Sequence, residues 1–208
     1  HSFGDEEDGI RKAAAAMVVR AGSFHDPLCC QGMAHFLEHM LFMGTKKYPS
    51  ENEYSSFIEK HGGSDNAFTE LEYTLYHFDI AQEKLFEGID RFAQFFISPL
   101  LREDSKGREL NAIESEFKLS QNSDDCRLQQ LMCHTGKAAE EHPFGKFSWG
   151  NLRSLKEIPE KNDVNLSSEL KTFYDQFYYA QNMRLVVIGA YSLDELQSQV
   201  VKKFSGVP

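Results

Sequence analysis

Apolar residues recur along this chain in two rhythms, and the rhythm assigns most of its elements. Ala13 to Arg20 is a short apolar run broken by Ala21-Gly22-Ser23. Its length and its Gly stop predict a buried strand, although four consecutive alanines suit a helix equally well by propensity. The spacing then changes. Met33, Phe36, Leu37, Met40 and Leu41 fall at i, i+3, i+4, i+7 and i+8, which predicts an amphipathic helix over Met33–Met43, stopped by Gly44. Pro49-Ser50 opens a second helix to about Lys60, with Ser50 as its N-cap and Glu53 three residues on, the pattern of a capping box.

Beyond Gly62-Gly63 the alternating rhythm returns. Ser64–Glu70 leads into the aromatic run Tyr73–Ile80, which reads as a strand, and the two segments pair naturally as a hairpin. Helical spacing resumes over Gln82–Phe96 (Leu85, Ile89, Phe92, Phe96) and over Arg102–Gln121 (Leu110, Ile113, Phe117), and a further helix is expected over Asp125–Lys137. Residues His142–Asn151 (HPFGKFSWGN) read as a loop, and Ser167–Tyr178 as a helix. Met183–Gly189 (MRLVVIG) reads as the clearest buried strand, and Ser192–Phe204 as a closing helix with Ser192 at its N-cap and Glu195 at N3. Strands at the beginning, middle and end with helices between them predict one α+β domain: a two-layer arrangement of a mixed, mainly antiparallel sheet packed against several helices.

Composition narrows the function. Of 208 residues, 41% are hydrophobic and 17 are Phe, enough for a core and too much for global disorder. The net charge of −10 and the lack of a basic patch argue against nucleic-acid binding. No run approaches the roughly 20 apolar residues that span a bilayer. The first dozen residues are acidic (Asp5, Glu6, Glu7, Asp8), lack an apolar signal core and read as a flexible lead-in to a domain over 13–208. The missing initiator Met suggests a fragment or a processed product. Cys29, Cys30, Cys126 and Cys133 show no CxxC spacing, which points to free thiols in a reducing compartment such as the cytoplasm.

The candidate chemistry lies in the first helix. His35-Phe36-Leu37-Glu38-His39 is H-x-x-E-H. Residues four apart on a helix share a face, so His35 and His39 can offer two imidazoles to one Zn²⁺. Glu38, three residues from His35, lies on that side, where a carboxylate can act as general base toward a zinc-acidified water. A catalytic zinc usually takes three protein ligands. Helix 102–121 offers Glu109, Glu114 and Glu116. Glu109 and Glu116, seven apart, lie nearly on one line beside the apolar stripe, and spacing does not choose between them. Glu114 projects well round from that line and is expected to be solvated. His61, His77, His134 and His142 read as ordinary core or surface histidines. No nucleophile elbow, P-loop or G-x-G-x-x-G occurs.

Residues 35–74 (HFLEHMLFMGTKKYPSENEYSSFIEKHGGSDNAFTELEYT) resemble the pitrilysin-type (M16) zinc peptidases, in the branch of insulin-degrading enzyme and nardilysin. The likeness continues through DRFAQFFISPL, RELNAIESEF, HPFGKFSWGN and LVVIGAYSLDEL, covers nearly all of 13–208, and corresponds to the first of four homologous domains. The resemblance implies one zinc per domain held by His35, His39 and Glu116, with Glu38 as catalytic base. It also implies Glu109 as a carboxylate orienting a ligand histidine, and Asn66, Ala67 and Phe68 as the strand that pairs with a peptide substrate. The acidic run at Asp5–Asp8 and Trp149 are nearer the nardilysin type, which implies cleavage on the N-terminal side of Arg in paired-basic sites; the insulin-degrading type stays open. Family members are several times longer, and their second half contributes substrate- and transition-state-binding groups. The expected partners are therefore a peptide substrate and the remaining domains. The rival expectation is a single domain that binds zinc and peptide without turnover.

Overall fold

A computed structural model describes residues 11–136 and 142–208. The lead-in 1–10, with its acidic run, and Lys137 lie outside the described residues. In chain order the elements are β1 (Lys12–Val19), α1 (Met33–Leu41), α2 (Glu53–Lys60), β2 (Ser64–Thr69), β3 (Thr74–Ala81), α3 (Leu85–Ile97), α4 (Glu103–Ser120), α5 (Asp124–Gly136), α6 (Ile158–Lys161), α7 (Leu166–Phe177), β4 (Met183–Ile188) and α8 (Leu193–Phe204).

The four strands form one sheet in the order β2-β3-β1-β4, and every pairing among the described residues is antiparallel, so the expected mixture does not occur. The alanine run is settled by its neighbours. As a central strand with partners on both edges, Ala14 faces Asp79 on one side and Ile188 on the other. Alternation then does the sorting. Ala13, Ala15, Met17 and Val19 are buried beneath the helices, while the residues between them turn to the opposite face. Lys12 belongs to β1 rather than to the lead-in.

The helices cover one face of the sheet. Phe92 and Phe96 of α3 meet edge-to-face at 5.3 Å, and Phe96 meets Tyr76 of β3 at 5.6 Å. Each such ring is worth about 1.5–3 kcal/mol by burial. The phenol of Tyr76 is satisfied inside this apolar layer by Tyr178, 2.7 Å away, just past α7.

Three local expectations are corrected. Met183–Ile188 is an edge strand rather than a fully buried one, with Val186 57% and Ile188 64% exposed. An unbroken apolar run does not distinguish a covered strand from one with an open face. Ser50 is not the cap of α2: the N-cap is Asn52, and Ser50 accepts the Glu53 amide through its backbone oxygen at 3.3 Å. The Glu53 carboxylate instead takes Arg91 Nε at 2.8 Å. By contrast, Ser192 caps α8, its Oγ accepting the Glu195 amide at 3.2 Å.

Candidate metal centre

Helix α1 starts without a capping side chain of its own, at Gly32 in the left-handed region (φ 96°). Asp26, six residues upstream, does that work. Its Oδ2 accepts the Gly32 amide at 2.7 Å and its Oδ1 the Ala34 amide at 2.8 Å. Two orphan amides of the first turn are thereby satisfied at the positive end of the helix dipole. Burial pushes the Asp26 carboxyl up to about 7, against the pull of those amides and of Lys146. The α1 helix then buries Phe36, Leu37, Met40 and Leu41 and leaves His35, Glu38 and His39 lining a cleft of about 570 Å³.

Both histidines are held by their far nitrogens. His35 Nδ1 donates to the Trp149 carbonyl at 2.6 Å, and His39 Nδ1 donates to Glu109 Oε2 at 3.1 Å. These bonds set the tautomers and leave both Nε2 lone pairs facing the cleft. The two Nε2 atoms lie only 3.2 Å apart. Glu116, just under one turn along α4 from Ile113, closes the triangle: Oε2 is 3.3 Å from His35 Nε2 and Oε1 is 3.6 Å from His39 Nε2. Ligand atoms about 2.0–2.1 Å from a tetrahedral zinc stand about 3.3 Å from each other. The three side chains present that spacing, and their donor set of two imidazoles and a carboxylate suits zinc. Two imidazole nitrogens facing each other across 3.2 Å need a cation between them, which a proton supplies in the metal-free chain and a zinc ion would supply when bound.

The electrostatics agree. Burial alone would lower the His39 pKa, but the Glu109 and Glu116 carboxylates override it and raise it to about 9. His35 and then His39 hold the Glu116 carboxyl well below the usual carboxylate range. Glu38 differs. It is 8% exposed, burial raises its pKa, and the hydroxyl of Thr69 at the end of β2 donates to its Oε2 at 2.6 Å.

The structure thus brings together His35, Glu38, His39, Glu109 and Glu116, and it separates the two glutamates that spacing left equivalent. Glu116 reaches both Nε2 atoms, while Glu109 reaches only the back of His39. Asn66, Ala67 and Phe68 of β2 line the same cleft, on a sheet edge that pairs with no other strand among the described residues. Glu114 is not simply solvated. Its Oε2 accepts the Leu152 amide at 3.0 Å and ties α4 to the chain beyond Trp149. Asp26, Thr69 and the Trp149 carbonyl carried no local signal, because each acts on a residue distant in sequence.

A family model described as Insulinase (Peptidase family M16) matches residues 5–142, and one described as Peptidase M16 inactive domain matches residues 166–208. The second stretch contains β4, which pairs with β1, so both stretches share one sheet. A nardilysin-like protein of Arabidopsis thaliana is 51% identical over 197 residues, 95% of this chain and 19% of its own length. The insulin-degrading enzyme of Bos taurus is 47% identical over 196 residues, 94% of this chain and 19% of its own. Human nardilysin is 44% identical over 198 residues, 95% of this chain and 17% of its own. The chain therefore spans about a fifth of the length of the curated relatives it matches. The crystal structure of pitrilysin superposes with a TM-score of 0.88 at 34% identity, over 95% of this chain and 20% of that one. A protease from Helicobacter pylori shares the fold at a TM-score of 0.81 and 23% identity, over 94% of this chain and 45% of that one. With the insulinase model matched over most of its length, and with His35, His39 and Glu116 disposed to fit a zinc ion, the chain belongs to the M16 insulinase family of zinc metallopeptidases.

Proposed function

We propose that residues 13–208 form the zinc-holding catalytic domain of a metalloendopeptidase. One observation carries the reading: two Nε2 lone pairs 3.2 Å apart, each fixed from behind by a bond at Nδ1, with a carboxylate within 3.6 Å of both. His35, His39 and Glu116 would hold the zinc, and Glu109 would orient His39. Zinc bound there supplies Lewis-acid polarisation and acidifies water.

The protein's own groups do the rest. Glu38 accepts the proton of the attacking water and passes it to the leaving amine. Its burial suits this task, because a carboxyl raised above its ordinary pKa holds a proton more readily. Thr69 fixes Oε2 of that carboxyl and leaves Oε1 to carry the proton. An extended peptide adds to the open edge of β2 along Asn66, Ala67 and Phe68, so backbone hydrogen bonds set its register.

The lining of the cleft bears on specificity. Asp65, within β2, and Glu70, just past it, line the cleft, and among the described residues no Lys or Arg does. Such a wall favours basic substrate side chains, in keeping with cleavage at paired basic sites. A second reading follows from the chain's span of about a fifth of its relatives: a piece that holds zinc and peptide but turns over nothing without the other domains. The deciding experiment measures zinc stoichiometry of this chain, and hydrolysis of a dibasic peptide with and without the remaining domains attached. One zinc per chain, and hydrolysis that fails in Glu38→Gln, supports the enzyme. Failure to retain zinc at neutral pH removes the reading altogether.

A further inference from the structure

Cys29 and Cys30 sit side by side in the loop between Asp26 and α1, and their sulfurs lie 3.7 Å apart, with the Cys30 thiol directed at Cys29 Sγ. Cys30 is fully buried. Cys29 is half-buried and lines a separate cleft of about 300 Å³, walled by Leu28, Gln31, Phe117, Phe147 and Ile158. One thiol is thus open to small reagents, and the second waits directly behind it. We propose that Cys29 and Cys30 form a reversible two-electron redox site, closed to a vicinal disulfide by peroxide-class oxidants.

The chemistry balances in two steps. The Cys29 thiolate attacks a peroxide oxygen, giving a sulfenic acid and one water. The Cys30 sulfur then displaces hydroxide from that sulfenic sulfur, forming the S–S bond and a second water as its proton leaves. The net change is two thiols and one hydrogen peroxide to one disulfide and two waters. The sulfurs must close by about 1.7 Å to reach bonding distance. The Cα atoms of adjacent residues stand about 3.8 Å apart across a trans peptide, less than the 4.4 Å or more that a relaxed disulfide takes. The bond is therefore strained, and strained disulfides are the readily reduced ones.

Strain at this point has a defined route. The Cys30 amide donates to the Pro27 carbonyl at 3.0 Å, inside the turn whose two ends are Asp26 and the amides it holds at Gly32 and Ala34. Twisting the Cys29–Cys30 peptide pulls on that brace and loosens the first turn of α1.

The test treats the whole 208-residue chain with hydrogen peroxide and maps its peptides by mass. The expected product is a Cys29–Cys30 peptide that has lost two hydrogens and cannot be alkylated, with both thiols restored by dithiothreitol and Cys126 and Cys133 still alkylatable. Phenylarsine oxide, which needs two neighbouring thiols, is expected to bind one equivalent, and none in Cys29→Ser, a substitution at the half-buried position. Amide exchange at Gly32 and Ala34 is expected to accelerate on oxidation and recover on reduction. Oxygen addition at Cys29 with Cys30 left as a thiol overturns the site. Unchanged exchange at Gly32 and Ala34 overturns its link to α1.

Discussion

Gly32 and Gly150 touch backbone to backbone: a Cβ placed on Gly32 would lie 2.2 Å from the Gly150 Cα, and both residues have left-handed φ (96° and 75°). This contact clamps the start of α1 against the loop that ends in Trp149, and so seats the carbonyl that fixes His35. Gly150→Ala is expected to cost about 1–3 kcal/mol, through strained φ and the crowding of its Cβ against Leu155 Cδ1 at 2.8 Å and Gly32 Cα at 3.1 Å. It should also weaken zinc binding, read by thermal unfolding and chelator competition. Gly107→Ala is the contrast. Gly107 lies within α4 with open space around it, so alanine there should stabilise by about 0.5–1 kcal/mol. A Gly150→Ala protein as stable as the parent would show that the clamp is unimportant.

Glu116 and Glu109 should separate cleanly in zinc affinity. Glu116 faces both Nε2 atoms and Glu109 only the far nitrogen of His39. Loss of an orienting partner typically weakens metal affinity about 10–100-fold. Glu109→Ala is expected to fall in that range, and Glu116→Ala to lose more. Equal or reversed losses against a competing chelator would refute the assignment.

Thr69→Val keeps the shape of the side chain and removes the hydroxyl that Glu38 accepts. That bond favours the charged carboxylate, so its loss should raise the Glu38 pKa further. In the protein with its remaining domains, the acid limb of the hydrolysis profile should move to higher pH. An unmoved limb would mean that Thr69 does not tune the base.

Asp26 gives stability a definite pH slope. Its carboxyl titrates near 7 in the folded chain against an ordinary value of 3.8. Between those values the folded state holds a proton that the unfolded state has released, so stability from this group falls as pH rises through the window. The steepest slope for one proton is about 1.4 kcal/mol per pH unit. Urea midpoints of the zinc-free chain and of Asp26→Asn, taken from acid to neutral pH, should therefore differ in slope. Parallel profiles would contradict this account.

Zinc would join α1 to α4, segments far apart in the chain, and a ligand bound only by the folded state stabilises it by mass action, about 4 kcal/mol at a thousandfold excess over Kd. Chelation is expected to lower the unfolding temperature of the parent, and to leave that of Glu116→Ala nearly unchanged.

What the sequence made legible was what repeats locally. The i, i+3, i+4 spacing from Met33 placed α1 within two residues, and H-x-x-E-H lies on the wall of the cleft. The alternation in Tyr73–Ile80 placed β3. Long-range hydrogen bonds were invisible. Asp26 caps a helix from six residues upstream, Trp149 holds His35 through a backbone atom that every residue possesses, and Glu114 reaches a loop amide. The same blindness explains Met183–Ile188, whose apolar letters say nothing of whether a neighbour covers them.

Thr69 belongs to the same short strand as Asn66, Ala67 and Phe68, and its hydroxyl is the brace on Glu38. A guest chain zipped along that rim by one residue too few or too many would tug on the brace. Under the proposed docking of a peptide on β2, the rim would act as a gauge as well as a rail, coupling where a guest lies to whether the carboxylate beside it is in position.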